Sequence, residues 1–231
     1  MNIIIYIYRG MTMLDAIGPY EILRNVKNAK IKLVAEKKGE ITADSQFVHL
    51  NAKYSIDEVE KADILLIPGS TIAFIKEAAN KEVLNWIKRV DQYTKKTVSV
   101  CTGSIILAAA GLLDGRKATS HWKPIDMLSK YGAEPVRERV VRDGKYITAA
   151  GVSAGIDMAL HLVTELEGED MAKVAQLAIE YDPDPLYDSG NFSKADPNII
   201  KLAEDQMARD AKKDLSLWEM IKHARTISKL K

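Results

Sequence analysis

Four short apolar runs in the first hundred residues constrain this chain more than any other feature. They are Ile3–Tyr8, Ile31–Glu36, Ile64–Ile67 and Thr97–Val100. The first and third are near-continuous branched or aromatic stretches, the mark of strands buried on both faces. Helical stretches separate the runs. Residues 14–23 form one, where Pro19 suits the first turn and Asp15 stands just ahead of it. Two more are expected near 71–79 and 82–94, the latter with Val83, Trp86, Ile87 and Val90 on one face. Strands alternating with helices predict an α/β domain: a mostly parallel, flavodoxin-like sheet sandwiched by helices. In such sheets ligands bind at the carboxyl ends of the strands.

The remaining segments fit around that frame. Residues 39–56, with Gly39 and Ala43-Asp44-Ser45 as turn material, read as a small antiparallel excursion. A short strand is expected at 117–121, a helix at 124–130, and a hairpin at 140–147 turning on Asp143-Gly144. Helices follow at 151–167 and 170–179, then a Pro- and Gly-bearing loop over 182–196. The last segment, about 197–231, reads as a charged helical tail whose final ten residues are basic, a solvated face. Nothing reads as a linker, so residues 1–231 are expected to form a single domain with this tail.

Composition narrows the function. A net charge of +1 argues against a nucleic-acid surface. The apolar N-terminal run is too short to cross a membrane and has no basic leader or cleavage site. The single cysteine excludes an internal disulfide and suits a reducing compartment, so the expected location is the cytoplasm.

That cysteine ends a strand. Thr97-Val98-Ser99-Val100 runs into Cys101-Thr102-Gly103-Ser104, and an Ile/Leu/Ala helix begins at once. A strand–turn–helix junction holds the turn side chain in a strained, exposed position, as in a nucleophile elbow. The free N–H groups and dipole of the helix start favour a thiolate and can hold substrate charge. A lone cysteine is also an ordinary small core residue, but the abrupt change of pattern at Cys101 favours a nucleophile. Asp15 after the first strand and Gly69-Ser70 after the third are expected at the same sheet edge. None of the four histidines adjoins Cys101, and His121, His161 and His223 each read as structural. No Cys/His metal spacing and no phosphate-binding glycine loop is present.

Four groups of residues resemble one family when taken together: Asp15 with Gly18-Pro19 and Glu21, Ile67-Pro68-Gly69, Val100-Cys101-Thr102-Gly103, and Thr119-Ser120-His121-Trp122. In order and spacing, through Glu167, they are similar to the ThiJ/PfpI superfamily with its class I glutamine amidotransferase-like fold. The stretch Gln176-Leu177, Glu180-Tyr181, Pro183 and Pro185, with Gly190 beyond, is similar to the isonitrile-hydrating subgroup. The resemblance implies Cys101 as nucleophile and Asp15 as general acid/base. The backbone N–H groups of Thr102 and of Gly69 or Ser70 would be oxyanion donors. It further implies a small-molecule substrate, no metal or organic cofactor, and a homodimer. Asp15 stands where protease- and deglycase-like relatives carry Glu, and Thr102 where several carry His. A late His-x-Glu pair is missing, so glutaminase and peptidase readings drop. Ile17 replaces an expected hydroxyl residue, and Ser70 the second glycine of a Gly-Gly turn. The implied reaction is hydration of an isonitrile to an N-substituted formamide. The alternatives are another cysteine hydrolase or glyoxalase-type activity, a redox-responsive protein, or a ligand sensor of the same fold.

Overall fold

A computed structural model describes residues 1–214. The chain divides into two compact units, Met1–Ile179 and a second beginning at Glu180. In chain order the first unit comprises β1 (Asn2–Tyr6), α1 (Met13–Leu23), β2 (Lys30–Ala35), β3 (Gly39–Thr42), β4 (His49–Ala52) and β5 (Tyr54–Ser55). Then come β6 (Ile64–Ile67), α2 (Phe74–Glu77), α3 (Lys81–Asp91), β7 (Lys96–Val100) and α4 (Gly103–Ala109). Last are β8 (Lys117–Ala118), β9 (Glu134–Pro135), β10 (Val140–Asp143), β11 (Tyr146–Ala149), α5 (Ala154–Glu167) and α6 (Glu169–Ala178). In the second unit, α7 spans Pro197–Asp214, and the basic end of the tail lies outside the described residues. Among the described residues no helix is long and apolar enough to cross a membrane.

The main sheet has the order β10-β11-β7-β6-β1-β2-β5. Every neighbouring pair is parallel except the β10–β11 hairpin. The expected parallel α/β architecture is therefore present, with the antiparallel excursion as the separate β3–β4 pair. From β1 the chain builds outward through β2 and β5, then returns to β6 on the other side of β1 and builds the opposite way. The crevice between β1 and β6 is thus the sheet's switch point, where two loops diverge and leave room for a ligand.

Burial explains the elements. Ile3, Ile4, Ile5 and Tyr6 are buried, as are all four residues of β6, so neither strand can alternate. The face Val83, Trp86, Ile87 and Val90 of α3 is buried as its spacing requires, and Trp86 donates its indole N–H to the Val59 carbonyl at 2.7 Å. Asn80 caps this helix, its side chain accepting from the N–H groups of Glu82 and Val83.

Several boundaries differ from the sequence reading. Asp15 does not precede α1 but lies in its first turn, and Pro19 is an interior residue of that helix. Proline's usual cost there is offset by packing. A Cβ on Gly155 of α5 would stand 3.1 Å from Pro19 Cγ, and one on Gly18 would stand 3.2 Å from Ile156 Cγ1. The two helices therefore close on small residues. The hairpin turns on Gly144-Lys145, with Asp143 paired to Tyr146; Gly144, at φ 62°, takes the first turn position. The helix expected at 71–79 shrinks to α2, and residues 125–131 wind as a 3-10 helix ended by Gly132 in the left-handed region.

Candidate active site

Three loops meet at the switch point. One follows β1 and enters α1, one follows β6 as Pro68-Gly69-Ser70, and one follows β7 as Cys101-Thr102. Cys101 adopts φ 58°, the left-handed region that costs a side chain about 1–2 kcal/mol. Its surroundings hold it there. The Cys101 N–H donates to the Ala149 carbonyl at 3.0 Å, and its own carbonyl accepts from the hydroxyls of Ser104 and Ser120, both at 3.1 Å. The strained elbow expected from the sequence is thus present. It is not exposed, however: Cys101 retains only 4% of its accessible surface.

The β6 and β7 loops interlock. Ser70 N–H donates to Thr102 Oγ1 at 2.8 Å, and that hydroxyl donates back to the Ser70 carbonyl at 2.9 Å. A Cβ on Gly69 would stand 2.4 Å from the Thr102 nitrogen, and one on Gly103 only 2.1 Å from the Ile67 carbonyl oxygen. Both glycines are required by close approach of backbone to backbone. Gly103→Ala is expected to cost on the order of 3 kcal/mol or more, a loss readable in a denaturant titration, because the opposing atom is a carbonyl that cannot rotate away.

Asp15 is fully buried. Its Oδ2 accepts the Gly69 N–H at 2.9 Å, while Oδ1 has no hydrogen-bond partner. Burial pushes this carboxyl up to about 7, the Gly69 N–H pulls it down, the Asp44 charge raises it, and the Cys101 thiol beside it lowers it. Burial and the Asp15 charge push the Cys101 thiol well up, against the Thr102 N–H and hydroxyl, which favour the thiolate. This corrects the expectation of a dipole-lowered thiol: α4 has seven residues, and its N–H groups do not outweigh desolvation and an adjacent carboxylate.

All five residues singled out in the sequence therefore converge. Their roles in the fold are nonetheless more committed than the sequence suggests. The Gly69 N–H is spent on Asp15, and the Ser70 N–H on Thr102, so neither faces an open position; only Thr102 directs its N–H toward sulfur. Ser70 Oγ accepts the Phe74 N–H at 2.7 Å. Ile17 is half-buried on α1. His121 turns Nδ1 to the Lys123 N–H, while His49 and His161 engage Glu40 and Arg142; His223 lies outside the described residues. Among the described residues no three His, Cys, Asp or Glu side chains converge as a metal site. Two neighbours escaped sequence reading. Tyr8, buried, donates to the Pro68 carbonyl at 3.1 Å and so braces the β6 loop. Asp44 was visible only as turn material.

An open parallel α/β sheet with a buried cysteine at a strained strand–helix turn, facing a carboxyl across the switch point, defines a class of fold and site. Residues 1–165 match the DJ-1/PfpI family, and the chain belongs to that family. It is 35% identical over 207 residues to an isonitrile hydratase of Pseudomonas putida, covering 89% of this chain and 90% of that protein. A deglycase of Thermococcus kodakarensis is 28% identical over 151 residues, or 64% of this chain and 89% of the relative. The crystal structure of a ThiJ/PfpI family protein from Pseudomonas syringae superposes with a TM-score of 0.86 at 37% identity, covering 92% of this chain and 88% of that one.

Proposed function

We propose that this chain hydrates an isonitrile to an N-substituted formamide, with Cys101 as nucleophile and Asp15 as the group that moves protons. The observation that carries this reading is the fully buried Asp15 carboxyl, with one oxygen unpartnered, at the same loop cluster as the buried Cys101 thiol on its strained turn, in a chain related along nearly its whole length to an isonitrile hydratase.

The chemistry suits such a pair. An isonitrile's terminal carbon must gain both a nucleophile and a proton. Asp15 as carboxylate takes the thiol proton while sulfur bonds to that carbon. The carboxyl then delivers the proton to the same carbon, leaving a thioimidate, S–CH=N–R. Water adds across C=N, giving a proton to Asp15 as nitrogen gains one. The carbon–sulfur bond then breaks, the sulfur regains its proton, and R–NH–CHO leaves. Oδ1, unpartnered in the fold, is the oxygen available for these transfers. No step leaves a lasting oxyanion, so the engagement of the Gly69 and Ser70 N–H groups is compatible with turnover.

The test is incubation of the purified protein with an aryl isonitrile, following formamide by chromatography, with methylglyoxal as a parallel substrate. Formamide formed at a rate dependent on enzyme concentration is the expected result. Consumption of methylglyoxal without any formamide would replace this reading with the glyoxalase-type one.

A further inference from the structure

The threonine ahead of α1 does not cap its helix. Thr12 occupies the N-cap position with extended backbone, where a hydroxyl ordinarily accepts an N–H from the first turn, yet its side chain makes no such bond. Instead Thr12 Oγ1 donates to Asp44 Oδ2 at 2.7 Å. Asp44 lies at the beginning of the β3–β4 turn, and three further bonds fix it there. Its N–H donates to the Met11 carbonyl at 3.0 Å, its Oδ1 accepts the Ser45 N–H at 2.8 Å, and the Gly10 N–H donates to the Thr42 carbonyl at 2.8 Å. Thr12 is itself tied to the β6 loop, its N–H donating to the Gly69 carbonyl at 2.9 Å, and its carbonyl accepts the Asp15 N–H at 3.2 Å. One residue thus joins the hairpin carboxylate, the Gly69 loop and the backbone of Asp15.

We propose that Asp44 is a positioning residue of this site, a second carboxyl group clamped by the same Thr12 that holds the Gly69 loop and the backbone of Asp15, and that through this clamp it tunes Asp15 to take the thiol proton and pass it to the substrate. The inference rests on the proposed role of Asp15 and deepens it. Two carboxylates near each other in a partly buried site resist simultaneous ionisation, and the deeper one gives way. The deeper one here is Asp15, fully buried, while Asp44 is half-buried with two donors on its oxygens. The Gly69 N–H from the β6 loop donates to the Asp15 carboxyl, and the Cys101 thiol from the β7–α4 turn, Asp44 from the hairpin and Tyr8 from the end of the first strand's run lie within electrostatic reach of it. Among these, Asp44 is the one further carboxyl group. The sequence pattern gives no hint of it, because an Asp-Ser turn between two short strands needs no further reason to exist.

The test is a titration of the Asp15 side-chain carboxyl by carbon-detected NMR, its signal assigned by its loss in Asp15→Asn. Wild type, Asp44→Asn and Glu40→Gln are compared; Glu40 is an exposed carboxylate on the same hairpin. Asn keeps an oxygen for Thr12 and removes the charge, giving up only the local Ser45 N–H bond. The Asp15 midpoint is expected to fall by about one pH unit in Asp44→Asn and to stay in place in Glu40→Gln. The acid limb of the hydration profile would move with it. A midpoint unchanged in Asp44→Asn overturns the proposal. Should that variant fail to fold, Thr12→Val, which releases the carboxylate from its clamp, is expected to lower the midpoint in the same direction, and an unchanged value there is equally fatal. The NMR midpoint does not depend on turnover. A fall in Asp44→Asn together with no formamide from wild type would retain Asp44's influence on Asp15 and discard the isonitrile reading.

Discussion

Cys101→Ala is expected to fold with wild-type stability and to form formamide at the background rate, a loss of at least about 10⁴-fold. Every proposed step passes through the carbon–sulfur bond, and no second thiol exists to replace it. The backbone contacts that hold the elbow, from Ala149, Ser104 and Ser120, all involve main-chain atoms of residue 101 and survive the change. Alanine tolerates φ 58° no better than cysteine, so the strain is unchanged. Mass spectrometry should find an adduct on wild-type protein trapped with substrate at low pH and none on the variant. Full turnover by Cys101→Ala would remove the nucleophile from the mechanism.

The second large effect has two opposite signs. Asp15→Asn is expected to lower turnover by about 10²- to 10⁴-fold, the range for loss of a positioned acid/base. It is also expected to stabilise the protein above neutral pH. The carboxyl rises from 3.8 to about 7 on folding. The folded state therefore holds a proton that the unfolded chain has already released across that interval. The stability this proton contributes is complete below about pH 4 and is lost as pH climbs through 7. Three units of displacement correspond to roughly 4 kcal/mol. Asn carries no charge to bury and still offers an oxygen to the Gly69 N–H. Thermal unfolding at pH 8 should place the variant several degrees above wild type, and the gap should narrow toward pH 4. A wild type whose stability rises from pH 5 to 8 would contradict the burial of an uncompensated carboxyl.

Much of this arrangement is legible in the residues. The strands β1 and β6 declare themselves because burial on both faces leaves no room for polar alternation, and α3 because its apolar residues recur at helical spacing. The elbow is legible because a β-prone run, a cysteine and an alanine-rich run follow without a spacer. The start of α1 is not, since Pro19 reads as a first-turn proline; only the partner helix, with Gly155 beneath it, explains why a proline is tolerated in the interior. The protonation of the site is also hidden. A helix start lowers a thiol's proton affinity and burial raises it, and sequence shows the first influence while the second depends on how deeply three loops close. Asp44 is hidden for a similar reason, because its importance comes from a contact with Thr12 across 32 positions.

The interlock of the β6 and β7 loops has a consequence for how such a protein can change over evolutionary time. Neither Gly69 nor Gly103 has space for one added carbon, and the Ser70–Thr102 pair locks each loop to the other. A side chain at either glycine strikes the opposing backbone before a new contact can form. Drift toward a new substrate must therefore leave these two glycines in place and enter elsewhere, such as the exposed face of α1 around Leu14 or the hairpin turn bearing Phe47, both open to solvent. Divergent members of such a lineage would keep the two glycines while exchanging the walls around them.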